Sequence, residues 1–502
     1  MSAAASPQTI AMIRLRNLLL LLFLLVCLLV YLLYTNALNG RLVQVDTMKN
    51  FSTSVKVRLR NRTKQDNPLD LPISSWRPPE QPPTDTTSPS EQLFPTEDAD
   101  DPKFKVPPAD LFIENGDTAN SEKDVSSLKK ILFWNDDYRH KHFGFGFGHA
   151  PFVSAGCGVD ACLTTGERGR FRPEELDAVV WHFRSSDKSL PESRSPHTRY
   201  VFWLLESPPH LYDDISRFDS IFNWTMTYRL DSDFPTAYGQ VYRRKHPLHI
   251  PSTRNYAEGK TKMAAWFVSH CHTVGGRENL AETLQQWIGV DVFGSCGPRA
   301  CDRSRQADCD RILSESYKFY LSFENSLCRD YVTEKFFNIL KLDVVPVVYG
   351  LGNYSVQAPP HSYIDALSFP TAKDLADYLL YLDRNHTAYN EYFRWKTDYF
   401  VSQDWFQRAQ AYCALCERLH TDNATKVYDL SEWFVQESHC LEKTTPEIRE
   451  FVGGNRYHPA LAFLACLLIL LAIALVFLLT VTLAEYYRPN RTYCKIYSMI
   501  KR

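Results

Sequence analysis

Excess charge of either sign is missing from this chain: 56 Lys and Arg against 58 Asp and Glu leave its 502 residues at a formal −2. No basic stretch runs beyond short clusters such as Arg243-Arg244-Lys245, so there is no electrostatic case for nucleic acid, and that partner class drops out. A second C-x-x-C is missing too. Cys413 and Cys416 therefore lack the partner motif of a zinc site and are expected to serve in structural disulfides, as are Cys296, Cys301, Cys309 and Cys328. Cys157 and Cys162 are expected to pair with each other in an oxidising lumen. No metal site is expected, and no internal repeat is evident. The run Phe143 to Gly148, FGFGFG, lacks the G-x-G-x-x-G spacing of a phosphate loop and reads as a surface or acceptor-facing loop.

Long apolar runs are present at both ends. Leu18 to Tyr34 is uninterrupted and follows Arg14 and Arg16 with no acidic residue upstream, which makes it a membrane span or a signal peptide. No small-x-small cleavage site follows, so a retained signal anchor with residues 1–17 cytosolic is the better reading. Ala460 to Ala484 is long enough to span as well. The basic tail 485–502 would then lie in the cytosol, although a buried or interfacial helix and a cleaved lipid-anchor signal are the competing readings. Eleven of the 13 cysteines lie outside these two segments. Glycosylation sequons at Asn50, Asn61, Asn223, Asn353, Asn385 and Asn423 match a lumenal body.

Residues 35–125 carry no sustained periodicity and are rich in Pro, Ser, Thr, Asp and Glu, a composition that buries too little apolar area to offset ordering entropy. They read as a disordered stem. Beyond them, short apolar runs separated by mixed stretches indicate α/β layers: KKILFW near Leu128, LDAVVWHF from Leu176 and YVFWLL from Tyr200. A polar stretch at 252–262 divides these from a second series, which includes Ala264 to Ser269, Val290 to Phe293, Tyr317 to Phe323 and Val344 to Tyr349, with helices from about Glu278, Glu334 and Asp374.

Polar residues gather at the carboxyl ends of these strands, where open α/β sheets hold their ligands. Tyr317 to Lys335 is the densest case, an aromatic strand meeting Glu324, Asn325 and Ser326 ahead of the helix start Thr333-Glu334-Lys335. Gly275-Gly276 makes a tight turn before a helix whose first turn carries Arg277, either a capped helix with a surface arginine or a diphosphate site. Glu206 ends a strand and is followed at once by Ser-Pro-Pro, a placement suited to a general base or simply to a helix cap.

Taken together, RYVFWLLESPPH, SHCHTVGGRENLAETL and YKFYLSFENSLCRDYVTEKFFNILKLDVVPVVYG resemble the α1,3-fucosyltransferases, over about Ile131 to Cys416. RSPHTRYVFWLLESP and FNWTMTYRLDSDF further resemble the insect members that fucosylate the innermost GlcNAc of N-glycans. The resemblance implies an α/β fold of two facing Rossmann-like domains of the GT-B type, an acceptor domain over 126–255 and a GDP-fucose-binding domain over 256–440. It also implies a Golgi membrane anchor with the catalytic body lumenal. The implied reaction is inverting transfer of L-fucose from GDP-β-L-fucose to the 3-hydroxyl of the Asn-linked GlcNAc of glycoprotein N-glycans. In that reaction Glu206 is the general base, Arg277 neutralises the diphosphate, and Asn325, Tyr331, Glu334 and Lys335 line the GDP-fucose site. No cofactor is required, manganese at most stimulating, because a diphosphate already leaves well. Terminal N-acetyllactosamine or LacdiNAc is the alternative acceptor, and a catalytically silent, membrane-tethered lectin-like protein is the alternative class.

Overall fold

In this computed structural model the described residues are 94–104, 107–114, 125–138, 140–301, 303–403, 405–422 and 426–453, with scattered helical positions between 467 and 481. The expected anchor 18–34, most of the stem, the tail 485–502 and the sequons Asn50, Asn61 and Asn423 lie outside them. Among the described residues no helix is long and apolar enough to cross a membrane. Within 460–484 the described positions Leu467, Leu471, Ile473, Phe477 and Leu478 are helical, with exposed side chains.

The strands, in chain order, are β1 (Thr96–Glu97), β2 (Lys129–Phe133), β3 (Cys162–Thr165), β4 (Ala178–His182), β5 (Arg199–Leu204), β6 (Trp224–Thr227), β7 (Gln240–Arg244), β8 (Lys262–Phe267), β9 (Val290–Phe293), β10 (Tyr317–Phe323), β11 (Val345–Tyr349), β12 (Ile364–Asp365) and β13 (Tyr399–Ser402). They form two five-stranded parallel sheets, β3-β2-β4-β5-β6 and β12-β11-β10-β8-β9. Every residue of β4, β5, β10 and β11 is buried. Such strands are covered on both faces, which is why they read as continuous apolar runs rather than alternating ones. Counted from its own first strand, each sheet has the order 2-1-3-4-5. That is the flavodoxin-type doubly wound arrangement rather than the 3-2-1-4-5-6 of dinucleotide folds, and its ligand crevice opens between first and third strands. Here those crevices fall at β2/β4 and β8/β10.

A third sheet, β1-β7-β13, was not legible in the sequence; β13 runs antiparallel to β7 and β1 parallel to it. It docks part of the expected stem. Phe104 packs edge-on against Tyr242, Phe400 and Phe406, and the carbonyl of buried Leu111 accepts from Phe147 N at 2.8 Å. The disordered reading of 35–125 is thus corrected over 94–104 and 107–114: a few large apolar side chains anchor a segment whose average composition is polar.

The run FGFGFG is core, not a surface loop. Phe143 and Phe145 are fully buried, Phe143 stacking on Phe133 at 4.8 Å and Phe145 on Tyr412 at 4.5 Å. The intervening glycines take positive φ, and a Cβ at Gly146 would meet the Leu111 carbonyl oxygen at 2.7 Å.

The cysteine pairing is corrected as well. Cys157 bonds to Cys413 and Cys162 to Cys416. Cys413 and Cys416 lie three apart, on one face of the helix Trp405–Thr421, so each reaches across to a different partner beside β3. These bridges staple that helix to the first sheet, where Ala409, Tyr412 and Leu415 share a core with Phe133 and Trp203. Leu430 and Phe434 join Phe202 and Trp181 on the other face. The helix 405–421 and the residues Leu430 and Phe434, assigned by sequence to the second domain, therefore pack on the first, and Leu441, Lys443 and Phe451 lie against the second again. Further bridges are Cys271–Cys296, Cys301–Cys309 and Cys328–Cys440.

Asn223 is no surface acceptor. It is buried, its Nδ2 donating to the Lys426 carbonyl and its Oδ1 accepting from Tyr200 N. Asn353 is exposed, while Asn385 is half-buried and caps the helix His386–Glu391.

Candidate active site

Three chain ends of the first sheet converge on Glu206. The residue follows β5 by two positions and precedes a short 3-10 turn, Pro208–His210, whose prolines fix the backbone just beyond it. Tyr138, from the turn after β2, donates its hydroxyl to Glu206 Oε1 at 3.1 Å, and Arg184, just beyond β4, brings Nη1 to 3.6 Å of the same oxygen. Burial holds the Tyr138 phenol above its ordinary range, with the Glu206 charge adding to the effect, so it stays a donor.

The second sheet supplies the opposite wall. Glu324 follows β10 directly, fully buried, and accepts from Thr333 N at 2.8 Å and from Thr333 Oγ1. That bond closes the loop 324–333 onto the start of the helix Glu334–Leu340, whose N-cap is Thr333. Lys335 Nζ donates to Thr333 Oγ1 and to Glu334 Oε1, each at 2.9 Å, and lies 3.6 Å from Glu324 Oε2. Burial opposes the ammonium of Lys335, but Glu324 and Glu334 outweigh it and hold its pKa above the usual value. Burial pushes the Glu324 carboxyl up, against the pull of Lys335.

The two walls touch. Tyr331, from the loop after β10, is 1% exposed and donates to Glu206 Oε2 at 3.4 Å. Below that contact Ser207 Oγ donates to Ser326 Oγ at 2.8 Å, both within reach of His210 Nδ1, and Asn325 Nδ2 lies 3.3 Å from His210 Nε2. Burial lowers the His210 pKa, so the junction is held by a neutral imidazole.

Glu206, Asn325, Tyr331, Glu334 and Lys335 all line one cleft of about 200 Å³. Arg277 does not line it. Its guanidinium is buried, Nη1 donating to Phe323 O at 2.9 Å and Nη2 to His270 O at 3.1 Å, which ties the ends of β8 and β10 together at the crevice of the second sheet. Its Nε is buried without a partner. The sequence placed Arg277 correctly in the chain, on the first turn of the helix Arg277–Leu284, but not its tertiary partners.

Asp137, Tyr138, Trp203, Leu205, Tyr238 and Arg408 complete the lining and were not expected as site residues. Asp137 and Tyr138 had a signal: they follow the apolar run of β2 as Glu206 follows that of β5. Arg408 had none, since its helix was assigned elsewhere. Among the described residues Cys162, Cys416 and His420 come close enough to hold a metal ion, but both thiols are consumed in their disulfide. Both walls carry paired charges, Glu206 with Arg184 and Asp137 with Arg408 on the first, Lys335 with Glu324 and Glu334 on the second.

Residues 126–239 match the description "Fucosyltransferase, N-terminal" and residues 257–433 "Glycosyltransferase family 10 (fucosyltransferase) C-term". The chain is 37% identical over 345 residues to "Alpha-(1,3)-fucosyltransferase C" of Drosophila melanogaster, covering 62% of this chain and 79% of that one. To "Glycoprotein 3-alpha-L-fucosyltransferase A" of the same organism it is 36% identical over 337 residues, 64% of this chain and 63% of that one. A human "4-galactosyl-N-acetylglucosaminide 3-alpha-L-fucosyltransferase" is 35% identical over 286 residues, 55% of this chain and 76% of that one. With both family regions in order along the chain and their walls meeting at one cleft, this protein belongs to glycosyltransferase family 10, the fucosyltransferases.

Proposed function

We propose that the chain transfers L-fucose from GDP-β-L-fucose, with inversion, to the 3-hydroxyl of the innermost GlcNAc of N-glycans. The observation that carries this reading is the apposition of Glu206 on one wall with Lys335, Glu334 and Asn325 on the other, in one cleft. Glu206 takes the proton of the acceptor hydroxyl as its oxygen bonds to the anomeric carbon. The bond from that carbon to the β-phosphate oxygen breaks, and its electron pair leaves with GDP. Inversion needs one carboxylate at the nucleophile, and cations at the diphosphate can replace a general acid. Lys335 meets the diphosphate by exchanging a carboxylate contact for a phosphate one, and the buried charge of Arg277 adds to the field at the end of β10. Glu334, about half exposed, can accept from ribose hydroxyls as well as from Lys335.

The core acceptor is supported by the glycoprotein named in one Drosophila relative and by the resemblance of RSPHTRYVFWLLESP and FNWTMTYRLDSDF to the insect core enzymes. The human relative is named for a galactosylated N-acetylglucosamine, which favours N-acetyllactosamine as the second reading. Purified full-length chain, given GDP-fucose, a chelator and either a trimmed N-glycan or N-acetyllactosamine, decides between them. Transfer to the lactosamine alone overturns the core assignment, and transfer to neither overturns the enzyme.

In the same reading the body is lumenal in the Golgi, tethered at 18–34 and at 460–484 with both tails cytosolic. Protease added outside sealed microsomes should remove a C-terminal tag; a protected tag contradicts that topology.

A further inference from the structure

Asp137 lies four residues past β2, in a turn closed on both sides: its N–H donates to the His140 carbonyl at 3.0 Å and His140 N–H returns to the Asp137 carbonyl at 2.9 Å. Between them Tyr138 takes φ +48°, a conformation that side chains rarely adopt and that is found where a fold must aim neighbouring groups. The turn sends the Tyr138 hydroxyl to Glu206 and sets the Asp137 carboxylate in the same cleft. That carboxylate is 8% exposed. One oxygen, Oδ2, lies 3.4 Å from Arg408 Nη1; the other, Oδ1, is buried with no hydrogen-bond partner. Native folds rarely leave a buried carboxylate oxygen unmatched, so the orphan points to something that arrives with a donor.

We infer that Asp137 anchors an acceptor-sugar subsite, its Oδ1 accepting from a hydroxyl or the acetamido N–H of the acceptor hexose while the neighbouring 3-hydroxyl is presented to Glu206. This inference rests on the fucosyl-transfer reading. Two features choose the sugar over the nucleotide. Asp137 belongs to the wall that carries Glu206, opposite Lys335 and Glu334. A carboxylate is also an acceptor-only group, which complements the O–H and N–H donors of a neutral sugar. Tyr138, next in sequence and lining the same cleft, is 50% exposed and offers ring surface to a pyranose. Arg408 stands on the helix that two disulfides fix to the first sheet, so the geometry is set before the acceptor arrives.

Burial pushes the Asp137 carboxyl up to about 6, with Arg408 and His140 pulling it down and Asp136 pushing it further. Among the described residues Tyr138 and Tyr412 also feel its charge, and Glu206 lines the same cleft. A bound donor favours the ionised carboxylate, so acceptor affinity is full above that pH and falls as pH drops through about 6.

The test compares full-length wild type with Asp137→Asn, using acceptors from which the 2-acetamido group or the 6-hydroxyl has been removed one at a time. The variant should raise acceptor KM about tenfold or more and leave GDP-fucose affinity within about twofold, the scale of a charge-assisted hydrogen bond. One of the trimmed acceptors should lose about as much on wild type and almost nothing on the variant, and the rise in KM below pH 6 should vanish in the variant. A variant with wild-type acceptor KM, or equal losses on every acceptor for both proteins, overturns the inference while leaving the transferase reading intact. Failure of wild type itself to transfer fucose overturns that reading and this inference with it.

Discussion

The Tyr331 hydroxyl donates to Glu206 Oε2 at 3.4 Å, joining a loop of the second sheet to a carboxylate of the first. Tyr331 is wedged edge-on against Tyr228 at 4.9 Å and Tyr238 at 6.5 Å, so it has little freedom to release that contact. The orientation of the base therefore depends on how the two walls meet. Tyr331→Phe removes the hydroxyl and keeps the ring. We expect kcat to fall about tenfold, from the loss of one hydrogen bond to a charged group, with the melting temperature little changed. Steady-state kinetics beside a thermal melt checks this, and an unchanged kcat would show that the contact does not orient the base.

Lys335 is the cation of the second wall, and it also neutralises buried Glu324. Lys335→Met should weaken GDP-fucose binding about 10- to 100-fold, the range of a charge-assisted phosphate contact. It should also destabilise the fold by about 1–3 kcal/mol, since Glu324 loses its compensating charge. Calorimetric titration with GDP and a denaturant midpoint read the two effects separately.

Non-reducing peptide maps should recover Cys157 joined to Cys413 and Cys162 joined to Cys416. A Cys157–Cys162 peptide would contradict the way the helix Trp405–Thr421 is fastened. Each bridge closes a long loop, 256 and 254 residues in sequence, and losing one native bridge typically costs about 2–5 kcal/mol. Cys157→Ser with Cys413→Ser should accordingly melt several degrees lower.

Asn223→Gln should leave the glycan mass unchanged and lower stability by about 1–3 kcal/mol, because the Tyr200 N–H and the Lys426 carbonyl lose a shared partner. Exposed Asn353 should behave in the opposite way, its loss changing mass and little else. Glycopeptide mass spectrometry with thermal melts separates the two.

The buried strands were legible because a parallel strand covered on both faces needs an unbroken apolar run, and Tyr317–Phe323 was readable to the residue. The strands β3 and β6 were not. Their threonines look half-exposed in sequence, yet Thr164 and Thr225 are fully buried, satisfied by the Gly146 carbonyl and by Asp233. Alternating glycines signalled a loop at Phe143–Gly148, where they let three phenylalanines pack inward. Of the site, Glu206 and Asn325 were legible at strand ends and Glu334 and Lys335 at a helix start, while Tyr331 and the role of each residue came only with the resemblance to the fucosyltransferases. Asp137 and Arg408 meet only through a turn and a returning helix, tertiary events that no local pattern records.

The central claim is that Glu206 removes the acceptor proton in a cleft whose other wall holds GDP-fucose. Glu206→Gln keeps the shape and removes the base. Transfer of labelled fucose should fall by about 10²- to 10⁴-fold, the usual contribution of a general base, while GDP-fucose affinity stays within about twofold. Turnover near wild type, or loss of donor binding along with activity, would contradict the account.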